Sequence, residues 1–242
     1  MTTAEIRSQT VAIIPAYQDE QHIGDIVHRT RKQLNQVVVV DDGSTDRTTE
    51  CAREAGAEVI VHDQNRGKGE AIKTGLAHLL AAANTSPVTE NGPDPQFRWI
   101  SLLDSDGQHL PEEIDRFLTV AAAATQPTFL IGNRMKNVAA MPFIRRVVNR
   151  FMSRQISRVC KQKIPDTQCG FRMLDHRLIP QLLGGGDRFD YDTEVLMIAS
   201  RKGYRIESVP ITTVYTDQVS KIRPVRDAIR FFKFMWRYRK LS

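Results

Sequence analysis

Two acidic clusters stand directly after short apolar runs. Asp41-Asp42 follows the four valines Val37 to Val40, and Asp104-Ser105-Asp106 follows Trp99 to Leu103. Two aspartates one residue apart on a strand-to-loop turn can hold one hard divalent cation, Mg²⁺ or Mn²⁺, and a cation so held can bridge a diphosphate. The bland alternative for Asp104-Ser105-Asp106 is a solvated turn with a helix cap, and for Asp41-Asp42-Gly43 taken alone a plain turn is the better reading. Other chemistries have less support. Asn65-Arg-Gly-Lys-Gly-Glu70 lacks the full G-x-x-x-x-G-K-[ST] pattern and reads as a turn and helix start near a nucleotide. No G-x-G-x-x-G follows the first strand, which argues against a dinucleotide oxidoreductase. The six histidines include no H-x-x-x-H pair, and His109 reads as helix entry as readily as catalyst. Cys51, Cys160 and Cys169 show no metal-type spacing, and Cys169 is expected in a pocket wall.

The elements that must position these residues alternate. Val11–Ile14, Val37–Val40, Val59–Val61, Trp99–Leu103 and Phe129–Ile131 are short β-branched runs that read as buried strands. Helical patterns lie between them, at about Ile23–Leu34, Asp46–Ala55, Lys68–Ala83 and Pro111–Ala124, with Ser44 or Thr45 as the cap of the second. The alternation predicts an α/β domain with a mostly parallel sheet and helices on both faces. In such a sheet ligands bind beyond the carboxyl ends of the strands, so both acidic clusters are expected on one edge. The stretch 84–96 reads as an exposed loop. After Gly132 come a basic helix, about Phe143–Lys161, a helix near Thr193–Lys202 and a strand Arg205–Val209.

The 242 residues, 41% hydrophobic and 26% charged, suit one globular domain and exclude wholesale disorder. No apolar run approaches the roughly 20 residues of a membrane-spanning helix. The opening residues Met1–Arg7 carry no apolar export signal, and the odd cysteine count fits a reducing cytoplasm. The net charge of +6 is concentrated in the helix around Arg145–Lys163 and in the tail Lys221–Lys240. In that tail Val225, Ile229, Phe232, Met235 and Trp236 recur at helical spacing among Arg230, Lys233, Arg237 and Arg239. A basic aromatic amphipathic helix over 224–242 is expected to bind a membrane surface; packing on the domain or on a partner protein is the alternative. No recognition motif supports nucleic-acid binding.

The motifs then occur in a specific order. Val11-Ala-Ile-Ile-Pro-Ala-Tyr-Gln-Asp-Glu20, Val39-Val-Asp-Asp-Gly-Ser-Thr-Asp-Arg-Thr48, Asn65-Arg-Gly-Lys-Gly-Glu-Ala71, Leu103-Asp-Ser-Asp-Gly-Gln-His109, Gly132-Asn-Arg134, Asp166-Thr-Gln-Cys-Gly-Phe-Arg172, Val209-Pro-Ile211 and Ser220-Lys221 follow one another over about residues 10–223. The set resembles inverting family 2 glycosyltransferases, most closely the dolichol-phosphate mannose synthase-like, polyprenyl-phosphate branch. The resemblance implies a GT-A-type Rossmann-like fold over 1–223, with a nucleotide-binding half at about 10–131 and an acceptor half at about 132–223.

By residue, the resemblance implies that Pro15, Tyr17, Asp19, Val40 and Asp42 line the nucleotide pocket. Asp104, Ser105, Asp106 and Gln108 would meet the nucleotide-sugar, with Asp104, Asp106 and Gln108 holding Mg²⁺ or Mn²⁺. Arg134 would meet phosphate, Lys221 would hold the diphosphate, and Asp166 and Glu194 would shape the site. Asp19 stands where the family often has Glu. Tyr215 stands near where mannose synthases usually have an Arg, so the donor is expected to be GDP-mannose or a UDP-sugar, with Arg223 as a possible replacement cation. The implied acceptor is a polyprenyl or dolichyl phosphate at the cytoplasmic face of a membrane. Such a nucleophile is already anionic and needs cations rather than a strong base; Arg134, Arg145, Arg146, Arg150 and Arg172 are the candidates. The alternatives are a family 2 transferase with another saccharide or lipid acceptor, and a membrane-docked homologue that binds nucleotide-sugar without turnover.

Overall fold

The computed structural model describes residues 1–84, 88–89, 92–93, 97–136, 141, 143–184 and 191–212. The expected tail helix, Lys221, Arg223 and Tyr215 lie outside the described residues. Strands β1 (Thr10–Ala16), β2 (Gln36–Asp41) and β3 (Glu58–Val61) are joined by helices α2 (Ile23–Arg31) and α3 (Thr48–Glu54), after a short capped helix α1 (Thr3–Ser8). Helix α4 (Lys68–Asn84) and a two-strand ribbon, β4 (Val88–Thr89) with β5 (Gly92–Pro93), lead to β6 (Trp99–Leu102). Then come α5 (Ile114–Ala123), β7 (Thr128–Asn133), α6 (Phe143–Cys160), β8 (Arg172–Asp175), α7 (Ile179–Leu182), α8 (Tyr191–Arg201) and β9 (Arg205–Pro210).

Seven strands form one sheet in the order β3-β2-β1-β6-β8-β7-β9. The valines of β2 and the apolar residues of β1, β6 and β7 are buried on both faces, as uniformly apolar runs require. All pairs are parallel except those of β8, which runs antiparallel to both β6 and β7. This strand was not legible as an apolar run, because Arg172-Met-Leu-Asp175 begins and ends with a charged residue, each 1% exposed. Its reversed direction matters for function. Leu102 at the end of β6 pairs with Arg172 at the start of β8, and Ile131 near the end of β7 pairs with the same residue. The segments after β6, after β7 and before β8 therefore share one edge with the end of β2.

Local chemistry corrects one expected cap. The N-cap of α3 is Arg47, which makes no side-chain cap bond; the preceding Asp46 accepts through Oδ1 from the Thr48 N–H at 3.0 Å and from the Thr48 hydroxyl at 2.5 Å. Ser44 and Thr45 instead hold the loop after β1: the Gln18 N–H donates to Ser44 Oγ and its side-chain amide donates to Thr45 Oγ1. Among the described residues no helix is long and apolar enough to cross a membrane.

Candidate active site

The turn after β6 carries Asp104, Ser105 and Asp106. Lys68, the first residue of α4, places its ammonium 2.6 Å from Asp104 Oδ1 and 3.3 Å from Asp192 Oδ2 at the start of α8. Asp106 Oδ1 accepts the Gln108 N–H at 3.0 Å, closing the turn on itself. The two carboxylates respond differently to this setting. Burial disfavours the Asp104 charge, but Lys68 overcomes it and holds the group far below the usual carboxylate range. Burial and the neighbouring Asp104 charge push Asp106 up instead. Burial also disfavours the Lys68 charge, which Asp104 and then Asp192 more than restore. Gly170 makes this arrangement possible: a Cβ there would lie 2.7 Å from the Asp104 carboxyl carbon, so only a bare backbone lets the segment leading into β8 pass the acid.

A second cluster follows β7. Arg134 grips Asp166 with two parallel bonds, Nε to Oδ2 at 2.7 Å and Nη2 to Oδ1 at 2.9 Å, and its backbone N–H adds a third. Asp166 is fully buried, which opposes its charge, but the Arg134 bonds outweigh burial and lower its pKa. Asn149 on the inner face of α6 donates to Asp166 Oδ1 at 2.8 Å, and the Ser153 hydroxyl donates to Asn149 Oδ1.

His109 joins the two clusters. Its ring packs on Phe171, with Nε2 3.9 Å from Cys169 Sγ. Burial pushes the imidazole down to about 4, with Asp104, Arg134, Lys68 and Asp166 as the charges that act on it. The ring is therefore neutral at pH 7. Cys169 is fully buried and its thiol is pushed up to about 12 by that burial, which suits a wall and not a nucleophile.

The remaining expected site residues divide. Asp19, beyond β1, has its Oδ1 2.7 Å from His22 Nδ1, and its charge is felt at Asp106. His22 in turn lies against the Gly107 turn. Pro15 is half-buried at the end of β1, Tyr17 is 43% exposed on the same edge, and Ser105 is buried in the acid turn. Three expectations are corrected. Val40 is fully buried with its methyl group facing Gly75 of α4, so its side chain belongs to the core. Asp42 accepts the N–H groups of Arg66 and Gly67 at 2.8 and 2.7 Å, with His62 Nδ1 2.7 Å away, so its carboxylate fastens the 64–67 turn and does not line an open pocket. Gly43, at φ +77°, permits this, since a Cβ there would lie 2.5 Å from the Gln64 carbonyl carbon. Arg172 is 1% exposed and spends its guanidinium on the carbonyl oxygens of Cys169 and Asp192, so it cannot reach an acceptor phosphate.

Arg145, Arg146 and Arg150 lie on the first two turns of α6, with the Arg146 guanidinium over the Phe143 ring at 5.4 Å. Lys68, Asp192 and Asn149 were not singled out from sequence. Lys68 lies inside the Asn65–Ala71 motif, but Asp192 and Asn149 carry no local signal, because only the tertiary fold brings them to Lys68 and to Asp166.

The acid turn fits a divalent cation. Lys68 pairs with only one of its two carboxylates, Asp104, and the upward push that burial and the Asp104 charge exert on Asp106 is one that added positive charge opposes. Among the described residues no three His, Cys, Asp or Glu side chains converge on one point. A hard cation held by one or two carboxylates completes its shell with phosphate oxygens and water.

Known proteins share this fold. The chain is 27% identical over 228 residues to the UDP-N-acetylglucosamine–dolichyl-phosphate N-acetylglucosaminyltransferase of Methanococcus voltae, covering 85% of each protein. It is 27% identical over 226 residues to the dolichyl-phosphate β-glucosyltransferase of Saccharomyces cerevisiae, covering 82% of this chain and 62% of that one. Glucosyl-3-phosphoglycerate synthase of Mycobacterium tuberculosis, solved with Mn²⁺, UDP and phosphoglyceric acid, superposes with a TM-score of 0.68 at 16% identity, over 95% of this chain and 78% of that one. That likeness establishes a GT-A-like fold. The model of the family described as glycosyl transferase family 2 matches residues 11–183, which include the acid turn, Arg134 and Asp166, and the chain belongs to that family.

Proposed function

We propose that the protein transfers a sugar from a UDP-sugar to a polyprenyl phosphate, with inversion at the anomeric carbon and with a divalent cation, at the cytoplasmic face of a membrane. The observation that carries this reading is the pairing on one sheet edge of a cation-seeking acid turn, Asp104 and Asp106, with an arginine, Arg134, locked in place by a buried carboxylate. Residues of about 10–131 form the donor half and 132–223 the acceptor half. The dolichyl-phosphate glucosyl- and N-acetylglucosaminyltransferases among the relatives support a UDP-sugar over GDP-mannose.

Asp104 and Asp106 would hold Mg²⁺ or Mn²⁺, with Gln108 as a third ligand; a bound cation supplies positive charge to a nucleoside-diphosphate leaving group. Lys68, whose ammonium already lies at Asp104, adds a second positive centre beside that diphosphate, and Lys221 a third. Pro15, Tyr17 and Asp19 would bound the nucleotide. Arg134 would orient the acceptor phosphate, with Arg145 and Arg146 near its path. The phosphate oxygen forms the new bond to the anomeric carbon as the bond to the diphosphate oxygen breaks on the opposite side. An anionic nucleophile needs no proton removed, and His109, the imidazole next to the acids, is made a weak base by its burial.

Isothermal titration with UDP- and GDP-sugars, in Mn²⁺ and then in EDTA, followed by transfer to a short-chain polyprenyl phosphate, tests the reading. Metal-dependent binding of one UDP-sugar followed by lipid-phosphate glycosylation is the expected result. Transfer only to a soluble phosphorylated acceptor, or binding with no turnover, would overturn it.

A further inference from the structure

The buried face of α6 carries two polar residues, Asn149 and Ser153, beside Met152, Ile156 and Cys160. Packing alone would be served better by aliphatic groups there, since a buried amide is costly unless its bonds are made. Here the bonds run in one direction. The Thr167 N–H donates to Ser153 Oγ at 2.9 Å, the Ser153 hydroxyl donates to Asn149 Oδ1 at 2.9 Å, and the Asn149 amide donates to Asp166 Oδ1 at 2.8 Å. Asn149 and Ser153 stand one helical turn apart, so one rigid element holds both. The chain ends on the carboxylate that grips Arg134.

A carboxylate turns easily about its last torsion, whose energy wells are broad. The two parallel bonds to Arg134 need its plane to coincide with that of the guanidinium fork. Solvent cannot hold Asp166, because its side chain is 0% exposed. Besides Arg134, it accepts from the Gln168 N–H at 3.3 Å and, among the described residues, from one further side chain, the Asn149 amide. That bond to Oδ1 fixes the carboxylate plane from the side of α6. Ser153 fixes the amide in turn: its hydroxyl donates to the amide oxygen and so keeps the nitrogen toward Asp166. The donor is also neutral. A lysine or arginine at 149 would compete with Arg134 for Asp166, whereas an amide leaves the ion pair as it is. We infer that Asn149 is a positioning residue: locked by Ser153, it sets the plane of Asp166 and through it the direction in which Arg134 meets the acceptor phosphate. The inference rests on the acceptor-phosphate role proposed for Arg134.

The test is a double-mutant cycle on transfer to a short-chain polyprenyl phosphate, joined to NMR of the Arg134 Nε–H in the full chain. Asn149→Leu is expected to lower kcat/KM for the acceptor roughly ten- to hundredfold, the range for a misplaced contact group, with donor affinity unchanged. Ser153→Ala, a gentler change that leaves the amide in place, should lower it several-fold. Arg134→Ala should lower it about a hundredfold or more. In the Arg134→Ala background Asn149→Leu should have almost no further effect, because its route to the acceptor is gone. The Arg134 Nε–H, assigned by its absence in Arg134→Lys, should exchange with water faster in Asn149→Leu than in wild type. A residue that only packs α6 would give a lower Tm, a normal kcat/KM per folded molecule and an unchanged Nε–H. Either that pattern, or losses that add in the cycle, would overturn the inference and leave the lipid-phosphate reading standing. An Nε–H loosened by Asn149→Leu together with a wild-type kcat/KM for Arg134→Ala would instead remove Arg134 from the acceptor, and the inference would fall with that role.

Discussion

Two pairs of acids stand at the same sheet edge and do opposite work. Asp41 and Asp42 end β2 surrounded by donors: Asp41 accepts the Ser44 N–H and the Thr49 hydroxyl, and Asp42 accepts two backbone N–H groups beside His62. Asp104 and Asp106 follow β6 with one lysine, Lys68, at Asp104 and with the Asp106 carboxyl pushed upward by burial and by the Asp104 charge. The lesson is that position at the carboxyl edge does not make an aspartate a ligand. The local supply of N–H donors decides, because a carboxylate saturated by backbone amides has nothing left for a cation, whereas two close carboxylates attract one.

Substitutions can break this contrast. Asp106→Ala is expected to have the largest effect, lowering transfer by a thousandfold or more, about 4 kcal/mol of barrier. The measurement is the rate at saturating donor over a Mn²⁺ series, with circular dichroism showing an intact fold; a normal rate would remove the cation from the acid turn. Gly170→Ala comes next, at roughly a hundredfold, since its methyl group forces the Asp104 carboxylate to move and misplaced catalytic groups cost about that much. A crystal structure of this variant should show Asp104 rotated away from Lys68, and an unmoved carboxylate would dissociate Gly170 from the site.

Lys68→Met should weaken donor binding about tenfold while leaving Asp104 dependent on added cation, a modest loss expected for one charge among several. Titration of UDP against Mn²⁺ concentration checks this, and equal affinity for wild type and variant would make Lys68 a packing residue. Asp42→Ala should change the rate per folded molecule least of the four. Its effect lies in stability: losing the acceptor of two N–H groups costs about 2 kcal/mol, or about 4–8 °C in Tm for a domain of this size. A collapse in rate with an unchanged Tm would reverse the contrast and return Asp42 to the nucleotide pocket.

Much of the parallel half was readable because buried parallel strands are nearly pure apolar runs, and Val37–Val40 and Phe129–Ile131 announce themselves. The helix limits came within a few residues for the same reason, since apolar spacing tracks the buried face. The caps were less legible: Ser44 and Thr45 resemble cap residues by type, but Asp46 is the one whose carboxylate reaches the first N–H of α3, that of Thr48. Strand β8 was hidden because its charged ends, Arg172 and Asp175, are neutralised by partners distant in sequence or by Arg177, and no apolar count detects that.

What the sequence by itself determined is the order of motifs and the placing of acids after strands, because strand identity depends on local apolar runs and the acids follow them directly. What only the tertiary structure decided is which acid serves which role. Lys68 reaches Asp104 across the sheet edge, Arg134 finds Asp166 across 32 residues, and Gly170 passes Asp104 only because β8 runs backwards between β6 and β7. Such contacts depend on strand order, and strand order is set by packing the whole chain at once.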